Sequence, residues 1–566
     1  MKIYWPLILI LGFIIPTYFT AQNVKPNYHS PLGIPLKLSA SFGDIRPNHF
    51  HMGIDFRTNG KVGLSLFAIE AGYVSRIKIT PLGYGRVIYV NHPNGVTSVY
   101  AHCSAFEKNI QELVNTYQEK NQLNVIDMYF DSTQIKVTKG QLIAYSGNSG
   151  NSSGPHLHFE LRDTETEKAL HPLVHGFNVI DQQAPVPSTI YLYSVDQHGY
   201  YINDKKLAVP VLKKDGEYQV AGNKISIPQN FLNGTNKLII GLEGSDKIGE
   251  DLITCGLFEN VLMVSNDTIF HSIIDTVSFE HDRMINDYCD YHEYKTNNRK
   301  IHKFIHKRQN PLAIYKSDPD RIITLNGHDS IAISIRLNDT KRNTSIINFD
   351  LIYRYDMGKI NLDAKPSSLY LRPDSSYYFE AFGNSLTLNP FALFEPEKKD
   401  ILITKEKIQL GKQSTPLNLG AIICFSPLEN ALISKQYIYS IGTKGQKEAL
   451  KTSIVKNKLE AVITSLGTFQ VGIDLTPPTI NPTNFSTSDT IVNKKTLEWK
   501  VTDSKTSIQD YNLYLNGKWK VLEYDKKNNV LIHYINASEK GITNIKLTVK
   551  DACKNEITWA KKIRLY

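Results

Sequence analysis

Three short histidine motifs, in fixed order within residues 40–160, restrict the architecture of this 566-residue chain more than anything else in it. The first is His51-Met52-Gly53-Ile54-Asp55. Read as a strand, positions 51, 53 and 55 share one face, because side chains alternate with period two. Imidazole and carboxylate then project together, and the glycine between them leaves room for a bound ion. The second is Tyr100-Ala101-His102, on the strand after a Pro93-Asn94-Gly95 turn. In the third, Gly154-Pro155-His156-Leu157-His158-Phe159-Glu160, positions 156, 158 and 160 again share a face.

Zinc catalysis needs three nitrogen or oxygen ligands and an open fourth position for water. His51, Asp55 and one histidine of the His156/His158 pair supply that set; alternation alone does not say which. The remaining histidines are then free to move protons and to stabilise an oxyanion, while the metal lowers the pKa of its water towards about 7. A lone H-x3-D would mean little, but three motifs in this order with their glycine framework are specific. Glu160 has two readings, as an acceptor that orients a metal-site histidine or as a partner for Arg162. His49 forms a second H-x-H with His51 and reads as a groove or structural residue. Asn148, Ser149 and Ser152 read as turn builders.

The order H-x-G-x-D, then Y-x-H, then the glycine loop ending in G-P-H-L-H-F-E, resembles the lysostaphin-type (LytM-type) zinc metalloendopeptidases over roughly residues 35–175. The resemblance implies a compact antiparallel β-core and one zinc ion on His51, Asp55 and His158. It also implies His102 and His156 as catalytic histidines, and hydrolysis of peptide bonds in peptidoglycan cross-links by a metal-activated water. This sequence departs from the family pattern at Ser65-Leu66, Cys103 and Ala144, none a ligand. Phe106 to Val137 is longer than a minimal connection. Its first part has helical spacing (Phe106, Ile110, Leu113, Val114, Tyr117), and Val125 to Phe130 reads as extended. It reads either as a wall of the substrate groove or as a surface insertion.

The rest of the chain is expected to be mostly β. Tyrosine (31) and phenylalanine (23) are abundant, and short strand patterns dominate. Hydrophobic residues at 41% and charged residues at 21% exclude a disordered or many-span membrane protein. A net charge of +9 leaves no concentrated footprint for nucleic acid. Lys2, the apolar run Leu7 to Ile15 and the exit Thr20-Ala21-Gln22 describe a signal peptide over 1–22. The expected location is therefore exported (periplasmic, cell-surface or secreted), with membrane attachment only if that segment is uncleaved.

Proline clusters at Pro185/Pro187 and Pro477/Pro478 mark linkers. The run Ile333 to Asp339 is similar to Ile545 to Asp551, each followed by Asn four residues after its aspartate. Both resemble the closing hairpin of bacterial immunoglobulin-like modules. The expected division is a peptidase domain at 23–184, an immunoglobulin-like β-sandwich at 185–350, a β-rich domain at 351–474 and an immunoglobulin-like sandwich at 475–566. These modules are expected to meet the cell-wall surface. Five scattered cysteines without a CxxC exclude a cysteine zinc knuckle and allow at most two bridges. Cys289/His292 with His302/His306 mimics zinc-finger spacing without a framework, and Lys303 to Arg308 reads as solvated surface. Two rival readings remain: a non-catalytic relative that binds peptidoglycan or activates wall enzymes, and an adhesion protein with a vestigial head.

Overall fold

The computed structural model describes residues 26–566 apart from 233–234, 327–329, 354–369, 430 and 487–490. The expected signal peptide lies outside the described residues. The chain is mostly β, and nearly all strand pairs are antiparallel.

The head is organised by one sheet. Its strands are β1 (Leu38–Ala40), β2 (Ile54–Arg57), β3 (Gly72–Ile79), β4 (Arg86–Asn91), β5 (Val96–Ala101), β6 (Ile126–Tyr129) and β7 (His156–Asp163), in the spatial order β1-β2-β7-β5-β4-β3-β6. The central strand β7 shows why this sequence forms a buried strand. Leu157, Phe159 and Leu161 on one face are fully buried, and His158 and Glu160 on the other are buried too. Between Phe106 and Val137 the chain forms the helix α1 (Lys108–Asn121), capped by Glu107, and then β6. Ile110 and Val114 face the core, whereas Leu113 and Tyr117 are exposed.

The second unit is tied into the head. Strand β8 (Ala169–Leu170) pairs with β11 (Thr276–Val277), which carries the head's sheet across the proline-marked boundary at 184. One hydrophobic cluster runs without a break from Leu32 and Phe159 to Leu262 and Phe349. The sheets of this unit include β9 (Val186–Val195) with β10 (Lys237–Ile248), and the hairpin β12 (Ser330–Asn338)–β13 (Thr344–Tyr353). Two five-stranded sheets follow between Tyr377 and Ile473 and enclose their own core. The last unit packs a four-stranded sheet containing β14 (Thr496–Thr502) against a five-stranded sheet containing the hairpin β15 (Gly541–Asp551)–β16 (Glu556–Leu565).

One sequence reading changes here. Lys303 and Lys307 are not solvated surface: their side chains are 2% and 0% exposed. Phe304 and Ile305 pull this stretch into the core. The buried ammonium groups are paid for by Asp287 (2.8 Å from Lys307) and Glu395 (2.8 and 3.1 Å from Lys307 and Lys303). All five cysteines are free. His302 is buried with Nδ1 2.9 Å from the Tyr288 hydroxyl, whereas His292 is exposed.

The C-terminal unit folds back onto the head. Glu523 pairs with Arg86 at 2.7 Å, Lys520 with Glu119 at 3.1 Å, and the Asn124 side chain bonds the backbone of Tyr511 and Leu522. A cleft of about 740 Å³ lies along this contact, lined by residues of α1, of the glycine loop after Tyr145 and of the C-terminal unit. The Phe106–Val137 segment thus walls an inter-unit cleft.

Candidate metal centre

Sheet register assembles the site. In β7, His158 stands opposite Asp55 of β2 on one side and Ala101 of β5 on the other. His102 is the first residue past β5, with φ +60°, so the chain turns out of the strand there and keeps the ring beside the site. His51 precedes β2 rather than lying in it. Its backbone is held by Gly43 N–H and the Asp44 carbonyl at 2.8 and 2.9 Å. The space at Gly53 is taken up by the neighbouring strand and not by an ion: a Cβ there would sit 2.4 Å from the Phe159 carbonyl and 3.0 Å from His158 Nε2.

His51 Nε2, Asp55 Oδ1 and His158 Nδ1 lie 2.9–3.1 Å from one another. Three ligands on one tetrahedral zinc, with bonds of about 2.0 Å, stand about 3.3 Å apart. The hydrogen bonds decide which ring atoms are free. His51 donates from Nδ1 to the Ser41 carbonyl at 2.7 Å, and His158 donates from Nε2 to Glu160 Oε1 at 2.9 Å. In the neutral tautomers that these bonds select, three acceptor atoms point at one spot, where a cation can take the place of a proton. That donor set of two imidazoles and a carboxylate fits a divalent metal.

The electrostatics agree. Burial alone would lower the pKa of His158, but Asp55 and Glu160 hold it up at about 9. Burial would raise Asp55, yet His51 and His158 hold it well below the usual carboxylate range. Both shifts mark a place that favours positive charge. Glu160 is fully buried, and against that burial Arg162, His158 and Tyr84 keep it ionised, at about 2. Both readings of Glu160 hold at once: Oε1 accepts from His158 and from the Tyr84 hydroxyl, and Oε2 from Arg162 at 2.7 Å. Such support fixes ring orientation at metal sites.

The other two histidines stand alongside. His102 donates from Nδ1 to the Ser149 carbonyl at 2.8 Å, and His156 from Nδ1 to the Gly154 carbonyl at 2.8 Å. Their rings are 4.8 Å apart, and His156 Nε2 is 3.6 Å from Asp55 Oδ1. Burial, and then the neighbouring His158 and His156, push His102 down to about 3, so it stays neutral.

The sequence profile of Peptidase family M23 matches residues 49–119 and 118–172, the stretch that carries all five site residues. Residues 49–172 form an M23 peptidase domain. The M23 domain is similar to part of the DD-carboxypeptidase/endopeptidase Mpg of Neisseria meningitidis serogroup B, 31% identical over 112 residues, 20% of this chain and 20% of that protein. An uncharacterized metalloprotease of Haemophilus influenzae is 32% identical over 131 residues, covering 23% of this chain and 21% of that one. Each match thus spans about a fifth of the curated relative's length. Among solved structures, the catalytic domain of lysostaphin from Staphylococcus simulans aligns over 24% of this chain and 90% of its own, at 23% identity and a TM-score of 0.19.

All five residues expected at the site come together in the M23 domain. His49 does not join them; it is exposed, with its ring on the Pro47 carbonyl. Ser149 and Ser152 do more than build a turn, since the Ser149 carbonyl holds His102 and Ser152 Oγ is 3.1 Å from His156 Nδ1. Ser41, Tyr84 and Lys527 were not legible as site residues. Tyr84 sits in a Gly83–Gly85 turn, its ring stacked 5.2 Å from His158. Gly85 has φ +64°, and a Cβ there would meet the Ser149–Gly150 backbone at 2.5 Å, so the turn and the histidine loop pack backbone to backbone. Lys527 of the C-terminal unit donates to the carbonyls of Asn148 and Ser152 in that loop.

Proposed function

We propose that the M23 domain is an exported zinc endopeptidase that hydrolyses peptide bonds in peptidoglycan cross-links. The observation that carries this reading is the convergence of three ligand atoms, on His51, Asp55 and His158, beside two further oriented imidazoles. Zinc held by these three residues would make water acidic near neutral pH and polarise the scissile carbonyl. Glu160, fixed by Arg162 and Tyr84, keeps His158 in the tautomer that leaves Nδ1 free. His102 and His156 have their Nδ1–H groups committed to backbone carbonyls, so each offers Nε2 to take up and return protons during bond cleavage.

The substrate class is supported by the named activity of the Neisseria relative, a DD-carboxypeptidase/endopeptidase. Export is supported by the apolar run from Leu7 to Ile15 with its small-residue exit. The C-terminal units would place the head on the wall. Incubating the zinc-loaded full chain with purified peptidoglycan and weighing the released fragments tests the reading. Fragments cut within peptide cross-links support it and name the bond. Intact peptidoglycan from a zinc-replete protein sinks it and leaves a binding or activating role.

A further inference from the structure

Two further groups of carboxylates stand apart from the metal centre, one in the second unit and one in the last. One oxygen each from Asp181, Asp246 and Asp339 lies within 4.8 Å of the others, and the same holds for Asp474, Asp503 and Asp551. The two groups are built alike. In each, one aspartate lies on the chain entering the unit, just before its proline cluster: Asp181 before Pro185, Asp474 before Pro477. A second lies late in β10 or directly after β14: Asp246, Asp503. The third opens the turn of a long hairpin: Asp339 between β12 and β13, Asp551 at the end of β15.

The match extends to single hydrogen bonds. Asn343 donates from its backbone to Asp339 Oδ1 at 2.8 Å and from its amide to Asp339 Oδ2 at 2.6 Å. That amide also reaches the Asp181 carbonyl at 3.4 Å. Asn555 repeats all three contacts on Asp551 (2.8 and 2.7 Å) and on the Asp474 carbonyl (3.1 Å). The Asp-x3-Asn similarity in the sequence is thus a device that ties the hairpin aspartate to the backbone of the chain entering each unit.

Among the described residues, none of these six aspartates forms an ion pair within 4.0 Å. Asp246 is 2% exposed, and its carboxylate receives one hydrogen bond, from Lys247 N–H at 2.8 Å. Asp181 Oδ2 and Asp503 Oδ2 are buried oxygens without a hydrogen-bond partner. The nearby lysines are engaged elsewhere: Lys341 on Asn178, and Lys435 on Asn555 Oδ1 and the carbonyls of Cys553 and Lys554. Burial, with the neighbouring carboxylates, raises Asp246 to about 7 and Asp181 to about 6, a measure of what it costs to gather these charges without a counter-ion. Buried carboxylates of this kind are paired or coordinate a metal.

We propose that each group binds a calcium ion, one joining the entering chain to the second unit and one joining it to the last. All donors are oxygen, which selects hard cations over zinc and its neighbours. Calcium accepts oxygens at about 2.3–2.6 Å in irregular, carboxylate-rich cages, whereas magnesium keeps most of its water. Because one ligand of each set lies on the entering chain, the ion would fix the junction. The second junction orients the unit whose Lys527 holds the histidine loop.

The test needs no peptidase activity. The full chain, stripped with EGTA and reloaded with zinc, is titrated with calcium chloride while bound calcium and thermal midpoint are followed. Two calcium ions per chain and a rise in midpoint are expected, saturating at or below about 1 mM. Asp246→Asn should remove one ion and Asp503→Asn the other. No bound calcium and no shift in midpoint up to about 10 mM overturns the proposal. So does retention of both ions by either variant. Equal binding of magnesium chloride at the same concentration overturns the choice of calcium. If the calcium-free protein is stabilised by acid and not by calcium, the carboxylates share protons instead.

Discussion

At the candidate metal centre of the head, and at the two aspartate groups further along the chain, titratable side chains are gathered out of water in different ways. In the head, the protein balances its own charge. Arg162 neutralises Glu160 at 2.7 Å, and two imidazoles share the centre with the single carboxylate of Asp55. At Asp181, Asp246 and Asp339, three carboxylates meet with no imidazole among them. Mixed nitrogen and oxygen donors with spare imidazoles alongside suit chemistry on a bound metal. Oxygen-only cages at inter-unit junctions suit structure. The two kinds of site should therefore respond to different ions and different mutations.

The largest effect separates ligands from catalysts within the head. His51→Ala, Asp55→Ala or His158→Ala leaves two protein ligands, so zinc and peptidoglycan cleavage should be lost together, while calcium binding is untouched. His102→Ala and His156→Ala should keep about one zinc per chain but lose about 10²–10⁴-fold in turnover. Metal analysis and turnover on the same purified variants read both. If His156→Ala empties the site and His158→Ala does not, the ligand assignment is reversed.

A smaller effect is expected one layer out. Glu160→Gln leaves all three ligands but frees the His158 tautomer and strands Arg162. Zinc affinity should fall by about 10–100-fold, with residual turnover restored at high zinc. Competition with a chromogenic chelator measures it; unchanged affinity would reduce Glu160 to a partner of Arg162.

Smaller again is the contact between the last unit and the head. Lys527 is exposed where it holds the histidine loop, so Lys527→Ala should lower turnover by about five-fold or less at unchanged zinc content. A larger loss at full zinc occupancy would mean that the last unit forms part of the catalytic site.

The smallest is a pH effect in that last unit. Against burial, which would raise it, His533, the Asn536 N–H and Lys520 hold Glu539 down to about 2, against a usual value near 4.5. A depressed folded pKa stabilises above the unfolded value and is lost as pH falls through the folded one. The thermal midpoint should therefore drop between pH 4.5 and 2, and Glu539→Gln should flatten that slope. An unchanged slope in the variant would assign the acid sensitivity to other groups.

Much of the site was legible because its residues recur at strand spacing within short motifs. His156, His158 and Glu160 lie on one face of β7 by alternation alone, and the glycine loop before them is visible in the sequence. The helix Lys108–Asn121 and the hairpins ending in Asp339 and Asp551 were legible for the same reason, since local periodicity fixes local structure. The free lone pairs, by contrast, depend on partners outside their own motifs: Ser41 for His51, Ser149 for His102, and Tyr84 for Glu160. Lys303 and Lys307 read as surface because nothing local announces Glu395, about ninety residues on, which makes their burial tolerable. Nothing in the sequence singles out Asp181 or Asp246 before folding brings them to Asp339. The sequence determined which side chains can do chemistry and which share a strand face. Sheet register and the return of the last unit onto the head decided which of them meet, because long-range contacts are set by packing rather than by local preference.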